Sequence, residues 1–160
     1  MITTKALLYI ADLNLSDEEL NWLTNDLFWI KRNRSLFVSL QVYTSFNGEF
    51  QITIQIEGEQ IIVKFHNWLS NSIEQKKITP KTFQKLINSI EDINFTKVYF
   101  ENCNFCGVDG YRAILTISKG SYATSVTVCS PNKTKEPSET NKFIKVIKTM
   151  CKMMSVEIKL

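Results

Sequence analysis

The stretch from Asp109 to Tyr122 constrains the fold more than any other part of the chain. Asp109-Gly110 is a polar turn, and Tyr111-Arg112-Ala113-Ile114-Leu115-Thr116-Ile117 has strand composition. Lys119-Gly120-Ser121 then reverses the direction, and a second strand runs to Cys129, where Ser130-Pro131 stops it. A hairpin of this kind is scaffolding, and nothing near it reads as a catalytic constellation.

The same patterning recurs upstream. Leu36, Val38, Leu40 and Val42 alternate with Phe37, Ser39, Gln41 and Tyr43, and Asn47-Gly48 supplies the positive φ angles of a tight turn. Phe50, Ile52, Ile54 and Ile56 then alternate with Gln51, Thr53, Gln55 and Glu57, a strand wet on one face. Gly58-Glu59 turns the chain into Ile61-Ile62-Val63-Lys64-Phe65. Residues 66–78 are expected as a loop or short helix carrying Trp68, Leu69 and Ile73. Further short strands are expected at Lys5 to Ile10 and near Thr96 to Glu101.

Helices show a different period. Ser16-Asp17-Glu18-Glu19 forms a capping box, and Leu20, Leu23, Leu27 and Ile30 make one apolar stripe behind it. Thr79-Pro80 opens a second helix with Phe83, Leu86, Ile87 and Ile90 on its core side. The last helix runs from about Glu139 to Met154, with Phe143, Val146, Ile147, Met150 and Cys151 along one side and Lys142, Lys145, Lys148 and Lys152 along the other.

These elements define an α+β fold: an antiparallel-rich sheet of about six to eight strands packed against three helices, near 17–30, 80–91 and 139–154, in a single domain over 1–160. Strands at 35–66 then a helix at 80–91 are echoed by strands at 96–129 then a helix at 139–154. That echo reads either as a doubled βββα arrangement or as the ordinary likeness of one alternating strand to another.

Composition narrows the function classes. A 44% apolar and 22% charged chain of 160 residues is an ordinary globular protein with core enough to fold unstapled. No apolar run approaches the ~20 residues of a membrane span, and the N-terminus has too short an apolar stretch for a signal peptide, so a cytoplasmic setting is expected. Residues 1–80 hold seven Lys and Arg against nine Asp and Glu (net −2), and residues 81–160 hold twelve against seven (net +5). That mild asymmetry and a lysine-only stripe on the last helix read as a solvated helix face, so no nucleic-acid partner is expected.

Reactive side chains are sparse. Cys103-Asn104-Phe105-Cys106 could supply two thiolates to zinc, with His66, the one histidine, and Cys129 or Cys151 as the remaining candidates. The spacing lacks a second pair, and reduced cysteines with no metal or other cofactor are the expectation. A nucleophilic triad would have to use His66, and no G-x-S-x-G elbow is present. Glu101 and Asp109 are the one tempting carboxylate pair, yet Asp109 before Gly110 suits a turn. No catalytic residue is assigned. A small enzyme of unknown substrate, or a weak metal- or nucleic-acid-binding domain, is the alternative.

Trp22 and Trp29 are seven residues apart and project within about 20° of each other on a helix. Their direction is nearly opposite the leucine stripe, so the helix is either sandwiched in the fold or presents aromatics to a partner. Asp17, Glu18 and Asp26 would form an acidic rim around such a partner site.

From Phe100 to Met154 the chain resembles bacterial immunity proteins of contact-dependent and polymorphic-toxin systems. The resemblance rests on Asp109-Gly110-Tyr111, the hairpin ending in Ser130-Pro131, a short Pro-containing loop and Phe143-Ile144 opening the last helix. It implies a cytoplasmic, non-catalytic protein that binds and neutralises a cognate toxin.

Overall fold

β1 (Leu36–Thr44) organises the molecule, because it is paired on both sides and its neighbours are paired in turn. The computed structural model describes residues 29–30, 32–44, 48–102, 111–129 and 138–158. Within them, β1, β2 (Gly48–Glu57), β3 (Gln60–Asn67) and β4 (Ser72–Ile78) form an antiparallel meander. Two helices follow, α1 (Pro80–Glu91) and α2 (Phe95–Asn102), and then the hairpin β5 (Tyr111–Lys119) and β6 (Tyr122–Cys129). The hairpin docks antiparallel on the free side of β1, giving the order β4-β3-β2-β1-β5-β6. α3 (Glu139–Met153) closes the described chain.

Register turns the alternation into a core. Leu40 stands opposite Ile52 on one side and Leu115 on the other; Ile52 faces Phe65, and Leu115 faces Val126. Side chains directly opposite one another share a face, so these five residues form one buried row across five strands. Val38, Ile54 and Val63 make a second row. Phe83, Leu86, Ile87 and Ile90 of α1 and Phe143, Val146, Ile147 and Met150 of α3 cover the same face. Each such side chain gains about 1.5–3 kcal/mol on leaving water.

The helix ends are satisfied locally. The Thr79 side chain accepts from the Thr82 N–H at 3.2 Å, with Pro80 in the first turn where no donor is needed. Ser138 caps α3 by accepting from the Asn141 N–H. The end of α2 reinforces this start: the Thr140 N–H donates to Glu101 Oε2 at 2.9 Å, and Asn102 Nδ2 donates to Thr140 Oγ1 at 2.9 Å. Glu139 Oε2 returns the contact by accepting from the Asn94 N–H at 2.8 Å.

Two segments differ from the sequence expectation. Residues 72–78 are strand β4, where a loop or short helix was expected; Ser-Ile-Glu-Gln-Lys-Lys-Ile carries no apolar alternation because it is an edge strand exposed along nearly all its length. Residues 95–102 are helix α2, where a strand was expected near Thr96 to Glu101; Asn94 Oδ1 accepts from the Lys97 N–H and starts a helical turn that packs Val98 into the core. The described order is therefore four strands, two helices, two strands and a helix. It does not repeat βββα, which leaves the echo as likeness between alternating strands. Of the helix expected near 17–30, Trp29 and Ile30 are helical and the remainder lies outside the described residues, as does the strand expected at 5–10.

Candidate protein-binding surface

Helices cover one face of the sheet, and the other face carries the alternate residues of every strand. It is mostly polar, with Ser39, Gln41, Gln51, Thr53, Lys64, Thr116 and Ser125 along its middle. Gln51 Nε2 donates to Ser39 Oγ at 3.0 Å, and the Thr116 and Ser125 hydroxyls lie 3.0 Å apart. Lys64 and Glu57 pair at 2.5 Å, and that contact together with the Gln55 amide holds the Glu57 carboxyl below the usual range.

Planar side chains gather at one end of this face. Arg112 stands opposite Tyr43, with its guanidinium carbon 4.6 Å from the ring centroid. Tyr43 faces Glu49 on its other side, and the Glu49 carbonyl accepts from the Trp68 N–H at 3.0 Å. Trp68 stacks on His66 with centroids 4.3 Å apart and planes 28° from parallel. Covered in this way, His66 Nε2 is buried without a hydrogen-bond partner among the described residues.

The turn after β3 fixes the exposed part of this end. Asn67 Oδ1 accepts from the Leu69 N–H at 3.0 Å and the Ser70 N–H at 3.3 Å, an Asx-type turn. Asn71 then takes the left-handed conformation, φ 49°, and leads into β4. Gly48 lies under Leu69: its φ is 78°, and a Cβ there would come within 3.3 Å of Leu69 Cβ. Trp68, Leu69 and Ile73 around this turn are 51%, 80% and 66% exposed. Trp68 stacks on His66 and Ile73 stands opposite His66 in register, while Leu69 lies over Gly48, so exposed apolar groups cluster around this end of the sheet.

The residues singled out in the sequence are distributed otherwise. Trp29 is half-buried: it meets Phe83 edge-on at 5.7 Å and its Nε1 donates to Gln84 Oε1, so it packs against α1. Trp22, Asp17, Glu18 and Asp26 lie outside the described residues, as do Cys103, Cys106 and Asp109. His66 and Cys129 are both on the polar face, but β3 and β6 are four strand spacings apart, roughly 19 Å. Cys151 sits in the core on the opposite side of the sheet, where burial pushes its thiol pKa to about 12. These three do not converge, and among the described residues no group of three His, Cys, Asp or Glu could hold a metal ion. Glu101 is engaged at the start of α3. Among the described residues no helix is long and apolar enough to cross a membrane.

Trp68, Leu69 and Ile73 were expected in a loop or short helix and were given no functional role by sequence. A signal was present: Asn67, Ser70 and Asn71 bracket an exposed Trp-Leu pair with turn-forming residues. No protein-family model matches the chain, and no curated protein sequence matches it significantly.

Proposed function

We propose that this chain is a non-catalytic binding protein that neutralises a cognate bacterial toxin in the cytoplasm. The observation that carries the reading is the exposure of Trp68, Leu69 and Ile73 around the stacked His66 and near the Tyr43–Arg112 pair. Exposed tryptophan on pre-ordered backbone is the usual anchor of a protein interface, since little conformational entropy is left to lose on binding. The likeness of the β5–β6 hairpin and the Phe143-Ile144 helix start to immunity proteins supplies the partner class.

Co-expression tests it. The chain is produced together with the product of the adjacent reading frame, and growth and complex formation are measured. Rescue of growth with a stoichiometric complex is expected, and Trp68→Ala should weaken that complex by about 2 kcal/mol, some thirtyfold, while far-UV circular dichroism stays that of the parent. Turnover in a hydrolase screen with no protein partner recovered would overturn the reading.

A further inference from the structure

A cavity of about 350 Å³ lies on the helix side of the sheet, at the small end of the ~300–1,000 Å³ range of ligand pockets. Asn33 closes a helical turn just before β1: its N–H and its Nδ2 both donate to the Trp29 carbonyl, at 3.0 and 2.8 Å. That turn brings Trp29 and Arg32 to one side of the cavity. α1 supplies Gln84, Ile87 and Glu91, which are three and four residues apart and so share a helix face. Leu36 and Lys119 stand opposite each other in register and complete the wall. The cavity sits at the far end of β1 from the Trp68 turn, and on the other face of the sheet.

Its charged groups are not matched to one another. Among the described residues, ion pairs join Lys64 to Glu57, and Lys142 to Asp92 and Glu139; none includes Arg32, Lys119 or Glu91. Two cations and one carboxylate therefore border a single small space. A plain dicarboxylate entering it would set negative charge against Glu91, and a plain amine would set positive charge against Arg32 and Lys119. A molecule with two carboxylates and one ammonium complements all three. Leu36 and Ile87 offer apolar surface for a short carbon chain between those groups. Gln84 is already engaged, accepting from Trp29 Nε1 and donating to Asn88 Oδ1 at 2.6 Å, so it fixes the Trp29 wall.

We propose that this cavity binds a free acidic amino acid. Arg32 and Lys119 take its two carboxylates, and Glu91 takes its ammonium. Charge-assisted hydrogen bonds of this kind, the Arg fork above all, are the stronger polar contacts available to a small ligand.

Titration of the full chain with L-glutamate, followed by proton–nitrogen correlation NMR, tests the proposal. Saturable shifts of the Trp29 indole N–H and the Lys119 amide are expected. The dissociation constant should be about millimolar, because Arg32, Lys119 and Glu91 are exposed to water. Glutarate, which lacks the ammonium, and L-glutamine, which lacks one carboxylate, should each bind about tenfold more weakly. Glu91→Gln should invert the first preference, weakening glutamate while tightening glutarate, an exchange that a merely structural role would not produce. Arg32→Gln should weaken both ligands while far-UV circular dichroism stays that of the parent. The absence of saturable shifts with L-glutamate overturns the proposal. So does glutarate bound as tightly as glutamate by the parent chain, or a preference that Glu91→Gln leaves unchanged.

Discussion

Ser155 follows the last turn of α3 in the left-handed region, at φ 57°. The Val156 N–H donates to the Cys151 carbonyl at 2.9 Å and the Ser155 N–H to the Lys152 carbonyl at 3.2 Å, the paired bonds of a Schellman cap. Glycine is the residue such a position favours, because any Cβ is strained there. Ser155→Gly should therefore raise stability, by about 0.5–1 kcal/mol, read as a higher urea midpoint at unchanged slope. A lower midpoint would mean that the serine hydroxyl contributes more than the strain costs.

At the scale of elements, the first turn of α3 is held to the α1–α2 corner by a small ionic node. Lys142 reaches Asp92 at 3.1 Å and Glu139 at 3.2 Å. The Asn94 N–H, and then Lys142, hold the Glu139 carboxyl below its ordinary 4.5. A carboxylate whose folded pKa is depressed contributes stability above its unfolded pKa and loses it as pH falls through the folded one. Urea midpoints should accordingly decline as pH drops below about 4.5, and Glu139→Gln should flatten that decline while costing about 0.5 kcal/mol at pH 7. Equal slopes in the two proteins would place the acid sensitivity elsewhere. Elements of this kind were legible in the sequence to different depths. Strands β1, β2, β3, β5 and β6 and helices α1 and α3 were readable because each buries one face, which writes period two or 3.6 into the residues. β4 buries almost nothing, so Glu74 to Lys77 leave no such trace. α2 was misread because Val98-Tyr99-Phe100 has strand composition, and its helicity comes from the Asn94 cap and from packing over β6. The contact patch was hidden for a related reason: a tryptophan reads as core until the turn that lifts it out is known.

On the scale of the whole molecule, Cys151 reports on cooperativity. It lies in the cluster formed by the sheet and the helices, and its raised pKa leaves roughly one thiolate in ten thousand at pH 8. Alkylation followed by peptide mapping should find Cys151 protected in native protein and modified only through global unfolding, with the urea dependence of the equilibrium transition. Modification without that dependence would mean that α3 opens on its own. Strand order also bears on how the protein is made. Of the described strands a nascent chain delivers β1 first, and β2, β3 and β4 follow it directly, so one flank of β1 is matched within a short span of synthesis. The other flank waits for β5, which begins at Tyr111 after two helices have been translated. Until then Leu36-Phe37-Val38-Ser39-Leu40 offers an open hydrogen-bonding row on the ribosome, adhesive to any extended neighbour. The strand that becomes the centre of the finished sheet spends its early life as an edge, and the interval before β5 arrives is when its unmatched flank is open to wrong pairing.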